Sequence, residues 1–303
     1  MKFGVGLPNY GPRTSFDAIR RVALAAEELG YDSVWTTDHI IVPRADIEPY
    51  GHIYESVVTL AMVAAVTQRV RVGTSVIVLP MRNPVLFAKQ VATIDAASGG
   101  RMIVGVGVGW NEPEYKNLSA NFKNRGKRLD EDITLLRALW SSESADFHGK
   151  YTQITDSIFA PLPARKEIPI WIGGNNEPSW KRAAALGDAW HATGASPETV
   201  AAGVKYFREH KPARQLLISA RLTVNLNPNV PPTYEYRGAA RRRVTGTDDD
   251  IRATLRDYAT AGLQHAALWF PTDDASTTLS TGLTLGLNQM ERFMRDIAPE
   301  FMS

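Results

Sequence analysis

Residues 71–84 read Arg-Val-Gly-Thr-Ser-Val-Ile-Val-Leu-Pro-Met-Arg-Asn-Pro, an apolar run that ends in a loop held by two prolines. Residues 101–110, Arg-Met-Ile-Val-Gly-Val-Gly-Val-Gly-Trp, repeat this design with glycines. Short apolar runs bounded by turn residues are typical of buried strands. Glycine at a strand end lets a ligand approach the backbone closely. The two stretches together predict a bed for a planar ligand.

The rest of the chain alternates between short apolar runs and segments with helical periodicity. Several of the helical segments end at glycine, a common C-terminal stop. Strands are expected at 2–7, 32–37, 70–79, 102–108, 169–173, 189–193, 216–226 and 266–270, and helices at 16–29, 57–67, 84–97, 128–140, 180–186, 198–209, 248–261 and 279–297. This alternation predicts an α/β fold of the (β/α)8 TIM-barrel type. A doubly wound sheet is the alternative architecture.

Two stretches do not follow this rhythm. Residues 141–168 hold turn residues, aromatics and prolines, with short hairpin strands expected, and residues 227–246 hold prolines and the cluster Arg241-Arg242-Arg243. We interpret both as irregular insertions, since simple barrel connections are shorter. The arginine cluster is interpreted as solvated surface, the alternative being a site for an acidic group. Residues 1–303 contain no Pro/Ser-rich linker and are expected to form one domain.

The composition excludes several classes of function. The 34 Lys and Arg residues against 32 Asp and Glu residues give a formal net charge of +2, so no strong attraction to nucleic acid or to a membrane surface is expected. The absence of cysteine excludes disulfides, thiolate nucleophiles and cysteine metal sites. No window approaches the roughly 20 apolar residues of a membrane helix, and the apolar run at 2–7 is too short for a signal peptide. The expected location is the cytoplasm.

Polar residues collect where the predicted strands end, which is where barrel enzymes build their active sites. His39 follows the second strand and is the best catalytic candidate, because histidine exchanges protons near neutral pH and the adjacent Asp38 could fix its tautomer. The alternative is that both residues only cap a turn. His191 ends the sixth strand and is a weaker candidate. No spacing supports a metal site built from these three residues, and the lack of lysine at the strand ends argues against an aldolase-type barrel.

Small and aromatic residues at other strand ends indicate where a ligand would bind. Gly173-Gly174-Asn175 precedes a predicted helix, and backbone N–H groups at a helix start attract phosphate, although a tight turn would need glycine as well. Gly105-x-Gly107-x-Gly109 lacks the dinucleotide-binding spacing, so we interpret these glycines as room for a planar ring. Trp110 follows them and either stacks on a flat ligand or fills core.

Taken together, these motifs resemble a known family. The segments that carry the resemblance are Asp38-His39, Gly73-Thr74-Ser75-Val76 with Pro80 and Pro84, residues 100–109, Arg128-Leu129-Asp130-Glu131 and residues 169–174. The set is similar to that of the luciferase-like monooxygenase superfamily, and most similar to its branch of oxidoreductases that use the deazaflavin coenzyme F420. The match runs over nearly the whole chain and is strongest over residues 1–195.

This resemblance implies a bacterial luciferase-like TIM barrel with a flavin-type ring at the carboxyl ends of its strands. It also implies a non-prolyl cis peptide at Ser75–Val76 beneath the ring, and it places His39 near the reactive face. There we expect His39, with Asp38 beside it, to exchange a proton with the substrate as the hydride moves. The residues implied for cofactor binding are Ser75, Val76, Gly107, Val108, Arg128, Gly173, Gly174 and Asn175. We further expect Asn9, Trp110 and His191 to line the substrate side.

One departure from the family pattern bears on the substrate. Some sugar-phosphate dehydrogenases of the family carry a glutamate acid directly after the glycines of the fourth strand, where this chain has Trp110, with Glu112 two positions further on. The expected activity is therefore hydride transfer between reduced F420 and an apolar organic substrate.

The alternatives are an FMN-dependent monooxygenase that uses O2 and a partner reductase, and a barrel that binds a flavin without turnover. The resemblance also implies a homodimer through helices near strands two and three. The apolar segment 57–66 fits such an interface, the alternative being that it is core.

Overall fold

The computed structural model describes residues 1–12, 14–165, 167–236, 238–271 and 279–302. Lys166 and Arg237, each in a predicted insertion, lie outside these ranges. Within them the strands are β1 (Lys2–Gly6), β2 (Ser33–Thr36), β3 (Arg71–Thr74), β4 (Ile77–Val78), β5 (Met102–Gly107), β6 (Ser144–His148), β7 (Gln153–Ile158), β8 (Ile170–Gly173), β9 (Ala189–Thr193), β10 (Leu217–Asn225), β11 (Thr233–Tyr236), β12 (Ala239–Thr245) and β13 (His265–Trp269). The helices are α1 (Phe16–Glu28), α2 (Ile47–Tyr50), α3 (Ser56–Val66), α4 (Pro84–Ala97), α5 (Glu112–Asn117), α6 (Arg125–Ser141), α7 (Glu177–Leu186), α8 (Pro197–His210), α9 (Asp248–Thr260) and α10 (Leu279–Arg292).

Among the described residues, eight parallel strands close into a barrel. They follow one another in the order β1, β2, β3, β5, β8, β9, β10 and β13, and β13 pairs again with β1. Helices such as α3, α4 and α7 pack against these strands from outside. The predicted TIM barrel is confirmed, and the carboxyl ends of all eight strands therefore meet at one face.

Helix boundaries follow the capping residues in the sequence. The Ser15 side chain accepts a hydrogen bond from the backbone N–H of Ala18 and starts α1, and Asn83 accepts one from Leu86 and starts α4. Pro84 occupies the first helical position of α4, where its missing N–H costs nothing. No helix in the described part of the chain is long and apolar enough to span a membrane.

The third barrel strand differs from the prediction of one run over 70–79. It consists of β3, which pairs with β5 at Val72 and Gly73, and of β4, which pairs with β5 further along. The peptide between Ser75 and Val76, which joins the two segments, is cis, as the family resemblance implies. An unbroken apolar run in a sequence does not show where the strand stops pairing with its neighbour in the sheet.

Both predicted insertions contain hairpins. β6 and β7 form the first one, as expected. The second stretch, 227–246, is more regular than predicted. β11 and β12 pair antiparallel, and β12 also pairs in parallel with the last residues of β10. Since side chains alternate along a strand, this hairpin brings Arg241 and Arg243 together at the barrel mouth. The interpretation of the arginine cluster as solvated surface is wrong for these two residues, which line the cavity described below.

Asp132 provides a pH-dependent test of the packing of α6. It is fully buried, and neither carboxylate oxygen has a hydrogen-bond partner among the described residues. Burial raises the pKa of its carboxyl from 3.8 to about 7. Between these values the folded state holds a proton that the unfolded state has released, so the stability that depends on Asp132 is lost as pH rises across this window.

We therefore expect Asp132→Asn to raise the free energy of unfolding at about pH 8, by up to about 4 kcal/mol, and to change it little near pH 4. Denaturant unfolding followed by circular dichroism at the two pH values measures this difference. A gain of equal size at both pH values would contradict the proposed ionisation.

Candidate active site

A cavity of about 930 Å³ opens at the carboxyl ends of the barrel strands. Its lining includes the segments that follow β1, β2, β5, β8, β9 and β13, together with residues of the hairpin β11–β12. This is where barrel enzymes place their active sites, and the volume suits a cofactor-sized ligand.

Val76, Gly107 and Gly173 make the floor of the cavity, and Gly105 lies next to Val76 without lining the cavity. A β-carbon at Gly107 would lie 2.8 Å from a Val76 methyl group, and one at Gly173 would lie 3.0 Å from both methyl groups. At Gly105 the same side chain would be 3.2 Å away. The glycines therefore leave the space that Val76 occupies, which gives a flat apolar surface for a planar ring.

One side of the cavity is formed by the backbone between β8 and α7. Gly174 has φ +123°, a conformation that favours glycine, and a β-carbon there would lie 2.8 Å from Ser179. The Asn175 side chain donates to Thr193 O (2.8 Å) and accepts from Thr193 N (3.1 Å), which fixes the ends of β8 and β9 together. Asn176 then caps α7 with Ser179 as its partner. An exposed helix start of this kind can bind phosphate.

His39 is buried beside the cavity and forms a hydrogen bond with Glu114. Its Nδ1 lies 2.7 Å from Glu114 Oε2, and Glu114 Oε1 accepts from the backbone N–H groups of Ile40 (2.7 Å) and Ile41 (3.2 Å). Burial alone would raise the pKa of the Glu114 carboxyl, but these hydrogen bonds hold it below its usual value. The carboxylate therefore keeps a proton on Nδ1 and leaves Nε2 for exchange with a ligand.

The prediction that Asp38 orients His39 is wrong. The Asp38 carboxylate accepts from the backbone N–H of Val78 (2.9 Å) and pairs with Arg82 (2.5 Å). Arg82 pairs in turn with Glu55. Adjacent residues on an extended segment point in different directions, so Asp38 holds the loop after β3 while Glu114, from α5, takes the partner role.

Aromatic side chains form the wall beside His39. The ring of Tyr50 lies 4.4 Å from that of His39, and Trp110 meets it edge-on at 5.4 Å. Tyr10 packs on Tyr50 at 5.3 Å. Burial raises the pKa of both tyrosine hydroxyls, so they remain protonated donors. This wall would accommodate an apolar or aromatic substrate.

Arginines surround the far part of the cavity. The Arg221 guanidinium lies 4.0 Å from the ring of Trp269 and donates to the Tyr10 hydroxyl at 2.9 Å. Arg241 donates to the carbonyls of Thr193 and Gly194, both at 3.3 Å, and Arg243 donates to Pro231 O. The acceptors described for these three guanidinium groups are all neutral, which favours an anionic group on the ligand.

The structure brings most of the predicted site residues to one cavity. Those that line it are Asp38, His39, Ser75, Val76, Gly107, Val108, Trp110, Gly173, Gly174 and Asn175. Three other predicted residues do not line it: Asn9, His191 and Arg128. Among the described residues, no cluster of three or more His, Asp or Glu side chains could hold a metal ion.

Each of these three residues lies outside the cavity lining, in surroundings that the structure shows. Asn9 is fully buried and donates to the carbonyls of Thr37 (2.8 Å) and Tyr54 (3.2 Å), so it joins two loops. His191 lies beneath the floor, fully buried in the barrel. Arg128 is half-buried on α6, 5.9 Å from the ring of Tyr151. Asn9 and His191, expected at the substrate, and Arg128, expected at the cofactor tail, are therefore not part of the cavity lining.

Glu114, Tyr10, Tyr50 and Arg221 were missed by the sequence analysis. A signal for Glu114 existed, because Asn111 caps α5 and a glutamate three residues after a cap commonly reaches back toward the preceding chain. Tyr10, Tyr50 and Arg221 lie on different elements, and closure of the barrel brings them close to one another.

Comparisons with known proteins agree with this arrangement. Residues 1–230 match the family model described as luciferase-like monooxygenase. An F420-dependent glucose-6-phosphate dehydrogenase from Amycolatopsis mediterranei is 28% identical over 318 aligned residues, which cover 89% of this chain and 92% of the relative.

Solved structures share the whole fold. A monooxygenase from Streptomyces bottropensis superposes with a TM-score of 0.80 at 22% identity, over 99% of this chain and 100% of the other. An F420-dependent secondary alcohol dehydrogenase in complex with an F420–acetone adduct superposes with a TM-score of 0.78 at 19% identity, over 97% and 99% of the two chains. The chain belongs to the luciferase-like monooxygenase family.

Proposed function

We propose that this protein is an F420-dependent oxidoreductase that transfers a hydride between the deazaflavin and an apolar organic substrate. The observation that carries the proposal is the apolar floor of Val76 with Gly107 and Gly173, with the His39–Glu114 pair at the same cavity. The similarity to F420-dependent dehydrogenases over nearly the whole chain supports the choice of cofactor.

The residues present suit such a cofactor. Val76 would support a planar ring, the backbone at Gly174 and Asn175 would hold a phosphate, and Arg241 and Arg243 would lie near an anionic tail. When bound, the deazaflavin supplies a carbon that accepts or gives a hydride. The protein provides orientation, partial exclusion of water and a proton-exchanging group.

His39 would give the substrate oxygen a proton, or take one from it, as the hydride moves. Glu114 fixes the Nδ1–H tautomer, so the exchange occurs at Nε2. Tyr10, Tyr50 and Trp110 provide the apolar surface that positions the substrate carbon. Secondary alcohols and the corresponding ketones are the substrate class that uses both features.

A panel assay tests this function. Purified protein is mixed with oxidised F420 and each member of a panel of secondary alcohols and sugar phosphates, and F420 reduction is followed by absorbance under anaerobic conditions. The reverse reaction uses reduced F420 and ketones. We expect turnover with bulky apolar alcohols or ketones.

A parallel assay covers the alternatives. It supplies reduced FMN, O2 and a general flavin reductase, and follows oxygen consumption in the presence of the same compounds. Oxygen consumption coupled to product formation with FMN, and no turnover with F420, would replace the proposal with an FMN-dependent monooxygenase. Tight binding without turnover in either assay would favour a non-catalytic flavin-binding barrel.

A homodimer through α3 and α4 is part of the proposal. These helices pack against each other, α3 beside β2 and β3 and α4 beside β5, and Val58 and Leu86 on them are 55% and 58% exposed. We expect the protein to sediment as a dimer and the double variant Val58→Lys, Leu86→Lys to sediment as a monomer, because buried charges at an interface core are costly.

Ile158→Lys is the matched control, since Ile158 is an 83% exposed apolar residue on the β6–β7 hairpin. This variant should remain dimeric in the same sedimentation experiment. A wild-type monomer, or dissociation by the control as well, would exclude the α3–α4 interface.

A further inference from the structure

A continuous hydrogen-bonded chain of buried side chains runs through the barrel beneath the cavity. Ser75 Oγ lies 2.8 Å from His191 Nε2, and His191 Nδ1 lies 2.8 Å from Ser219 Oγ. Ser219 Oγ lies 3.0 Å from His265 Nδ1, and His265 Nε2 lies 3.0 Å from Ser33 Oγ. Of the five residues joined by these hydrogen bonds, Ser75 is the one that lines the cavity.

Trp35 sets the donor-to-acceptor direction of these hydrogen bonds, at the end of the series that lies away from the cavity. The indole Nε1–H can only donate, and it donates to Ser33 Oγ at 2.9 Å. Within the described part of the protein, the remaining partner of Ser33 Oγ is His265 Nε2. A buried hydroxyl proton needs an acceptor, so Ser33 donates to His265 Nε2.

The remaining hydrogen bonds follow from this one. A neutral His265 that accepts at Nε2 must carry its proton on Nδ1 and donate to Ser219. The Ser219 hydroxyl then donates to His191 Nδ1, and a neutral His191 donates from Nε2 to Ser75. Burial lowers the pKa of both His191 and His265 to about 3, so both rings are neutral near pH 7.

Since Ser75 Oγ accepts from His191, its own proton is directed away from the chain. We infer that the chain from Trp35 to Ser75 fixes the Ser75 hydroxyl as a hydrogen-bond donor to the ligand on the cavity floor. The matching ligand atom is an acceptor on a flat heterocycle, such as a ring carbonyl oxygen or an unprotonated ring nitrogen. This inference rests on the proposed function for the identity of the ligand. A donor at this place would also stabilise negative charge that develops on a reduced ring.

One group competes for this assignment. Asp32 Oδ2 lies 3.7 Å from His265 Nε2, beyond hydrogen-bond distance, and it pairs with Arg71 and with Lys2. If His265 carried its proton on Nε2 and donated it in a hydrogen bond to Asp32, the tautomers of both histidines would reverse and Ser75 would become an acceptor from the ligand. The two hydrogen-bond directions therefore place the ring protons of His191 and His265 on different nitrogen atoms, and this difference can be measured.

The first test uses the ligand-free protein with 15N-labelled histidine and long-range proton–nitrogen correlation NMR. The spectra of His191→Gln and His265→Gln identify the two rings. We expect the proton of His191 on Nε2 and that of His265 on Nδ1. The opposite tautomers, or an imidazolium on either ring near pH 7, would overturn the inference, and this result does not depend on which cofactor binds.

The second test measures F420 binding by fluorescence titration. Ser75→Ala should weaken binding about three- to tenfold, the range for loss of one hydrogen bond. Ser56→Ala is the matched control, because Ser56 is equally buried and bonds to Thr36 away from the chain. Equal affinity of Ser75→Ala and wild type, or an equal loss in the control, would overturn the assignment of Ser75. If wild type binds no F420, the proposed function fails while the tautomers still decide the direction of the chain.

Discussion

His39→Ala is expected to lower turnover about 100-fold while F420 affinity stays within about twofold of wild type, because removal of a general acid–base group typically costs 10²–10⁴-fold. The His39 imidazole lines the cavity, and its Nδ1 lies 2.7 Å from the buried Glu114 carboxylate. The change removes a proton-exchanging atom and leaves the floor of Val76 intact. The measurement combines steady-state kinetics, with the substrate found in the panel, and an F420 titration.

Two further variants separate proton transfer from structure. Glu114→Gln keeps the size of the side chain but loses the charge that selects the Nδ1–H tautomer, so turnover should fall about tenfold and its pH profile should shift. His52→Ala removes an exposed histidine that packs on Tyr54, and should leave turnover unchanged. Unchanged turnover in His39→Ala would exclude its role, whatever the other variants do.

Gly107→Ala is expected to weaken F420 binding about tenfold or more with little effect on the overall fold, since overpacking costs about 1–3 kcal/mol. A β-carbon at Gly107 would lie 2.8 Å from a Val76 methyl group. Val76 has no room to move aside because it already packs against Gly105 and Gly173. The floor must therefore rise into the space that a ring would occupy. A fluorescence titration measures the loss, and circular dichroism checks the fold.

The matched control is Gly126→Ala, whose β-carbon would meet only Arg182, at an ordinary contact distance of 3.4 Å. It should bind F420 as wild type does. The double variant Val76→Ala, Gly107→Ala should recover part of the affinity, because the smaller side chain makes room for the added methyl group. Normal binding by Gly107→Ala, or no coupling between the two positions, would mean that the ring does not lie on this floor.

Much of the fold could be predicted from the sequence because its signals are local. Helix α4 was expected at 84–97 and spans Pro84–Ala97, since Asn83 and Pro84 mark its start and Gly99 with Gly100 its end. The eight barrel strands also lie where the apolar runs predict them. The hairpin β11–β12 was missed because its pairing depends on β10, which lies earlier in the chain.

The site was harder to predict because it depends on which way each side chain points. The sequence predicts a rim position for His191, but along β9 it faces the interior and Thr193, two residues later, reaches the cavity. Glu114 is separated from His39 by 75 residues, so no local pattern joins them. Asp38 stands next to His39 in sequence, yet its carboxylate turns to Val78 and Arg82.

The most direct test of the proposed cofactor is an equilibrium titration of the purified apoprotein with F420 and with FMN, followed by fluorescence. The floor of Val76, the backbone at Gly174 and Asn175, and the arginines at the cavity mouth should bind F420 at least about tenfold more tightly than FMN, a difference of about 1.4 kcal/mol. Tighter binding of FMN, or binding of neither compound, would contradict the assignment of this cavity to a deazaflavin.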